Sequence, residues 1–146
     1  MALSGTGTTQ TDLAAGKPTS ASSHTDVYAS SNVTDGNQGS YWESANNAFP
    51  QWVQVDLGSA RSASRVVLRL PATWGARTQT LALGGSTDGT TFTTLKSSAA
   101  YTFDPSNGNT VTLTFPAATQ RYFRVTVTAN SGWPAAQVSE FQIWNS

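Results

Sequence analysis

Apolar and polar residues alternate strictly in several short stretches of this chain, and each alternation assigns an inner and an outer face to a strand. In RYFRVTVT, residues 121–128, Phe123, Val125 and Val127 share one side, while Tyr122, Arg124, Thr126 and Thr128 share the other. In QWVQVDL, residues 51–57, Val53, Val55 and Leu57 oppose Trp52, Gln54 and Asp56. In RVVLRL, residues 65–70, Val66, Leu68 and Leu70 oppose Val67 and Arg69. TLALGGSTDGTTFTTL reads as two strands joined by a turn at Asp88-Gly89, where Gly supplies the positive φ that tight hairpins need. NGNTVTLTF and EFQIW add two more strands. No stretch has the length and period of a long helix. About eight strands, with turn signals roughly every 8 to 12 residues, predict an all-β sandwich or barrel.

Composition supports this. Ser and Thr together exceed a quarter of the 146 residues, a balance that favours strands and turns. The length suits one domain with its own core. Eight basic residues balance eight acidic ones and only 11% of positions are charged, so nothing here attracts nucleic acid or an anionic membrane. There is no Cys, hence neither a disulfide framework nor a thiolate metal site. The N-terminal MALSGTGTTQTD has no basic n-region and no apolar h-region, and is expected to be a flexible linker over residues 1–12, with the domain at 13–146. No apolar run approaches the roughly 18 residues of a membrane span.

The order of the pieces resembles the discoidin, or coagulation factor V/VIII type C, superfamily, and within it the bacterial family 32 carbohydrate-binding modules. The resemblance runs from about residue 13 to the C-terminus and is carried by ASSNVTDGNQGSYWES at 29–44, QWVQVDLG at 51–58, GGSTDGTTF at 84–92, RYFRVTVT at 121–128 and VSEFQIW at 138–144. It implies a jelly-roll β-sandwich of about eight antiparallel strands, with ligand-binding loops at one end. Animal members usually tie their ends with a disulfide, which this chain cannot form; that departure favours a bacterial module. TWGARTQT and NSGWPAAQVSEF look like modules attached to secreted polysaccharide hydrolases. The implied function is a non-catalytic, monomeric module, secreted with a glycoside hydrolase in the same chain and directing it to a neutral glucan, α-1,3- or β-1,3-linked. A galactose-type lectin and a protein adhesion module are the alternatives.

The polar stretch SSNVTDGNQGSYWES then has an explanation. The resemblance implies one structural Ca²⁺ beside the Asp-Gly loop, with Asp35, Asn37, Ser40 and Glu140 as ligands; the competing reading is an ordinary Asp-Gly-Asn turn and a solvated Glu140. Trp42 and Trp52 occupy motif positions expected to pack inside the sandwich or at its edge.

Sugars are held by aromatic faces on the apolar side of the ring and by a few polar groups on its hydroxyls. Three loops offer such groups: Trp74 and Arg77; Asn130 and Trp133; and His24, Asp26 and Tyr28. Trp74 and Trp133 could equally cap the core, and Arg77 could be salt-bridged. The orientation of Glu43, Asn46 and Asn47 stays open. Catalysis is not expected: no pair of uncommitted carboxylates, Ser/His/Asp elbow, phosphate loop or zinc motif is present. Membrane docking is disfavoured because only Arg77 among the loop residues is basic, against Asp26 and Glu43.

Overall fold

A computed structural model describes residues 11–145. Its strands are β1 (Thr19–Ala21), β2 (Trp42–Glu43), β3 (Gln51–Arg69), β4 (Arg77–Ser86), β5 (Thr93–Phe103), β6 (Thr110–Asn130), β7 (Gln137–Val138) and β8 (Glu140–Trp144), with short 3₁₀ turns at Ser30–Thr34 and Pro105–Asn107. All pairings are antiparallel. No helix among the described residues is long and apolar enough to cross a membrane.

Two long strands organise the sandwich. The first part of β3 pairs with β1 and with the end of β6, Gln51 lying opposite Val127 and Asp56 opposite Tyr122. Register slips between Asp56 and Arg61 and between Ala63 and Arg65 then bend β3, as bulges do. Its last part, Arg65–Arg69, pairs with β8 on one side and the start of β6 on the other. One layer therefore has the order β1-β3-β6-β4-β5, the other β8-β3-β6, and β3 and β6 belong to both.

The alternation seen in the sequence fills the space between them. Val53, Val55, Phe123, Val125 and Val127 from one layer, and Val66, Leu68, Leu113, Phe141 and Ile143 from the other, are all fully buried in a single cluster. Each such side chain contributes roughly 1.5–3 kcal/mol on leaving water. Trp42 joins them with 0% exposure, its indole N–H donating to the Ser23 carbonyl at 2.8 Å. Trp52 is half-buried on the outer face instead.

Residues 1–10 of the expected linker lie outside the described residues. Asp12 is tied to the fold: its Oδ1 accepts from the Ala14 and Ile143 amides, both at 2.9 Å, beside the Leu13 N–H to Ile143 carbonyl bond at 2.7 Å.

Candidate functional site

The short pairing of β2 with β7 sets Glu43 opposite Gln137 and Trp42 opposite Val138. Because Trp42 points into the core, its neighbours Tyr41 and Glu43 point away from it, toward one end of the sandwich. There the Tyr41 ring stacks on Tyr28, centroids 4.5 Å apart and planes 11° from parallel, and meets Trp74 edge-on at 4.5 Å and 71°. The Trp74 turn is held from below. Asn109, buried with a left-handed φ of 52°, donates through its side-chain amide to the Pro71 carbonyl at 2.9 Å and the Trp74 carbonyl at 3.0 Å. The Arg77 guanidinium lies over the Trp74 ring, 4.6 Å from its centroid.

Behind these rings is a polar junction centred on Gln137, only 2% exposed. Its Oε1 accepts from Arg77 Nη1 at 2.9 Å and from Asn130 Nδ2 at 3.1 Å, while its Nε2 donates to Glu43 Oε1 at 2.8 Å. Its main chain is gripped by the Gln79 side chain, which accepts from the amide at 3.1 Å and donates to the carbonyl at 2.8 Å. One neutral amide thus bridges a cation and an anion. Desolvation lowers the Arg77 pKa, and the Glu43 charge opposes that shift. The Tyr41 phenol is pushed up by burial, by the Tyr28 hydroxyl and by the charges of Tyr28 and Glu43.

The third wall is the 130–134 loop. Gly132 is required there, since a Cβ would fall 2.8 Å from Arg77 Cβ. It lets the loop lie against the Arg77 stem and present Trp133, which is 47% exposed. Tyr41, Glu43, Trp74, Arg77, Trp133 and Gln137 line a cavity of about 240 Å³ at this end. It offers aromatic surface, one guanidinium and one carboxylate, with no net charge: a lining suited to the C–H faces and hydroxyls of a sugar.

Of the residues singled out from the sequence, the fold brings Trp74, Arg77 and Trp133 together. Tyr28 supports Tyr41 from behind. Asn130 works as a brace, since its amide donates to Ala135 O at 3.0 Å and to Gln137, and its oxygen accepts from the Gly132 amide at 2.9 Å. His24 and Asp26 are exposed and line no part of this cavity; Asp26 sits in a left-handed turn with φ 51°. Tyr41 and Gln137 were missed by sequence reasoning, and Glu43 was left without a direction. A core Trp42 flanked by two outward positions was the available signal for Tyr41 and Glu43.

On the loop after the first 3₁₀ turn, Gly36 takes a φ of 74° and curls residues 35–40 on themselves. The Asp35 carboxylate accepts from the Asn37 amide at 2.9 Å and from the Ser40 hydroxyl, which also lies 3.1 Å from the Asn37 carbonyl. Burial raises the Glu140 pKa, and the charges of Asp12 and Asp35 raise it further, against an opposing effect of Arg69. The charges of Asp12 and Asp35 therefore reach Glu140 across this region. Among the described residues no group of three Asp, Glu or His side chains is close enough to hold an ion alone, so a cation here would depend on neutral oxygens as well.

A model for the NedA-like, galactose-binding domain of the F5/F8 type C kind matches residues 32–125. Among solved structures, chitosan-binding module 1 of a chitosanase/glucanase from Paenibacillus sp. IK-5 is 29% identical, with a TM-score of 0.78 over 91% of this chain and 98% of that one. The family 32 module of AlyQ, in complex with 4,5-unsaturated mannuronic acid, is 27% identical, with a TM-score of 0.73 over 88% and 95% of the two chains. The family 32 module of C. perfringens NanJ, in complex with galactose, shares the fold at 21% identity and a TM-score of 0.78, over 93% and 99%. No curated protein sequence matches.

Proposed function

The chain belongs to the F5/F8 type C domain family, and we propose on that footing that it is a non-catalytic carbohydrate-binding module. The carrying observation is the cavity in which Tyr41, Trp74 and Trp133 enclose the Arg77-Gln137-Glu43 junction. In this reading Trp74 and Trp133 stack on the sugar ring while Arg77 and Glu43, fixed by Gln137, meet its hydroxyls. The balanced charge supports a neutral hexopyranose, and a glucan with α-1,3 or β-1,3 linkages is the substrate class proposed. The module would be monomeric, secreted, and joined to a polysaccharide hydrolase that it brings to its substrate. One structural Ca²⁺ belongs to the proposal, held by Asp35, Asn37, Ser40 and Glu140. The curled loop, which gathers the Asp35 carboxylate, the Asn37 carbonyl and the Ser40 hydroxyl, and the unfavourable effect of the Asp35 charge on Glu140 support this, since Ca²⁺ favours mixed carboxylate, carbonyl and hydroxyl oxygens.

A second reading, an amino sugar, is favoured by one observation. Glu43 Oε1 is spent on Gln137, while its other oxygen has no protein partner among the described residues and could accept from a sugar ammonium. Retention on insoluble α-1,3-glucan, curdlan and chitosan, followed by calorimetry with the soluble oligomers, separates the two. Trp74→Ala should weaken whichever interaction is found by roughly tenfold to a hundredfold, the loss of about 1.5–3 kcal/mol of buried ring. Wild-type affinity in that variant removes Trp74 from the site. Glu43→Gln should spare a glucan and abolish a preference for glucosamine.

A further inference from the structure

The outer face of the five-stranded layer carries a second constellation that shares no residue with the cavity above. Gln54, Arg124, Gly84 and Thr94 form one row across β3, β6, β4 and β5. Arg124 is clamped flat in this row, its guanidinium carbon 3.9 Å from the Trp52 ring centroid and 4.0 Å from that of Phe92, with Nε donating to Gln54 Oε1 at 3.0 Å. Next to it Gly84 raises no side chain from the sheet. The result is a hollow of about 190 Å³ with a backbone floor, bounded by Arg124, Phe92, Thr93, Thr94 and Thr126. That is smaller than the roughly 300–1,000 Å³ of typical ligand pockets, room for a single ring rather than a chain.

The charge in this row is unbalanced. Among the described residues the one ion pair is Arg121 with Asp56, and no acid faces Arg124. Desolvation alone moves its pKa, downward. Its two terminal nitrogens have no protein partner among the described residues, although the stacking rings fix their plane. A rigid, half-desolvated fork with free donors matches a carboxylate, which it can engage through two parallel charge-assisted hydrogen bonds. The threonines beside it offer hydroxyls to a polyol, and the Phe92 edge offers apolar contact.

We propose that this face holds a second glycan site, centred on Arg124, which takes the carboxylate of a uronic-acid residue in an acidic polysaccharide. Trigalacturonate is the probe, titrated into the whole protein and followed by calorimetry and by amide NMR shifts, with its fully methyl-esterified form as the neutral control. Wild type should bind the acid at least about tenfold more tightly than the ester, and more weakly as salt is raised. Arg124→Leu should lose at least about tenfold in affinity, and Trp74→Ala should lose none. Gly84→Ala sets a methyl group on the floor of the hollow in ordinary van der Waals contact with Phe92, at 3.7 Å, which keeps the Arg124 stack, and should weaken binding severalfold; it decides the matter if Arg124→Leu does not fold. No binding to wild type, equal binding of acid and ester, or undiminished binding by both sheet-face variants overturns the proposal. Loss of binding in Trp74→Ala also overturns it, by moving the acidic sugar to the loop-end cavity.

Discussion

Replacing Gln137 by Leu keeps the volume of the side chain and removes its polarity, which isolates the role of the junction. In the native protein Glu43, 7% exposed, receives a bond of 2.8 Å from Gln137, and Arg77 donates to it at 2.9 Å. Hydrogen bonds to charged groups contribute about 1.5–3 kcal/mol each. Both groups line the cavity and keep some access to water, Glu43 at 7% exposure less than half-exposed Arg77, so water replaces part of each bond, more of it at Arg77. Asn130 keeps its bond to Ala135 O and loses little. The sum is about 3 kcal/mol, or roughly 6–12 °C in melting temperature at this chain length. Urea titration gives the free energy directly. Affinity for the sugar should fall by about tenfold or more, because Arg77 and Glu43 are no longer held in one arrangement. Gln137→Glu sharpens the test. Protonated, the introduced carboxyl imitates the amide; ionised, it attracts Arg77 but is repelled by Glu43 and stripped of water at a 2% exposed position. Burial together with that repulsion outweighs Arg77 and raises the pKa of the introduced group in the folded protein. Its penalty is therefore absent below the unfolded value of about 4.3 and grows as pH rises through the folded one. The melting gap to wild type should narrow on acidification. A loss below about 1 kcal/mol for Gln137→Leu, or a gap in Gln137→Glu that does not change with pH, would refute the idea that this amide couples the two charges.

Chelation should lower the melting temperature, and added calcium should raise it more at pH 7 than at pH 5. Burial raises the pKa of Asp12 and of Glu140, so each favours folding when protonated, below its unfolded value, and this contribution disappears as pH climbs through its folded value. Asp56, Asp88 and Asp104 act in the opposite sense. Their pKa values are lowered, that of Asp88 to about 2 by the Thr91 and Thr90 amides, so their contribution fades as pH falls from about 3.8 toward 2. Ion-free protein should accordingly melt highest at mildly acidic pH, above the range in which Asp56, Asp88 and Asp104 protonate and below neutrality, a profile that differential scanning calorimetry in chelator can check. Asn109→Ala should cost about 2–3 kcal/mol, from the Trp74 carbonyl left unpaired, the lost bond to the Pro71 carbonyl, which keeps the Trp74 amide as a donor at 3.0 Å, and an alanine forced to positive φ. Asn109→Gly, which accepts that φ, should recover only part of it, and sugar affinity should stay low in both.

The sheet was legible because its signal is local. The alternation at 51–57 and 121–128 needs no partner strand to be read, and the same residues are fully buried in the fold. Half of the loop-end site was legible for a similar reason: Trp74 and Trp133 stand among Pro and Gly, where an indole has no sheet face to cover. The other half depends on chain pairing across great sequence distance. Gln137 becomes a hub only because β7 lies against β2, so that its amide meets Glu43, 94 residues away, and Arg77, 60 away. In the sequence it is one polar residue after two alanines. His24 and Asp26 show the converse, since a suggestive residue type in a loop carries no information about which way the loop folds. The aromatic clamp on Arg124 was half visible: its outward direction followed from alternation, but the partner rings come from β3 and from the turn before β5.

Because β3 and β6 each traverse both layers, neither layer can detach while the other persists. Folding must bring Gln51 against Val127, Arg69 against Thr110, and Arg65 against Trp144 before much of the apolar surface is covered. Such distant pairings close large loops early, and chains built this way fold on the millisecond-to-second scale rather than in microseconds. Amide exchange should therefore find the centres of β3 and β6 opening in the same slow event, with no sublayer released ahead of the other.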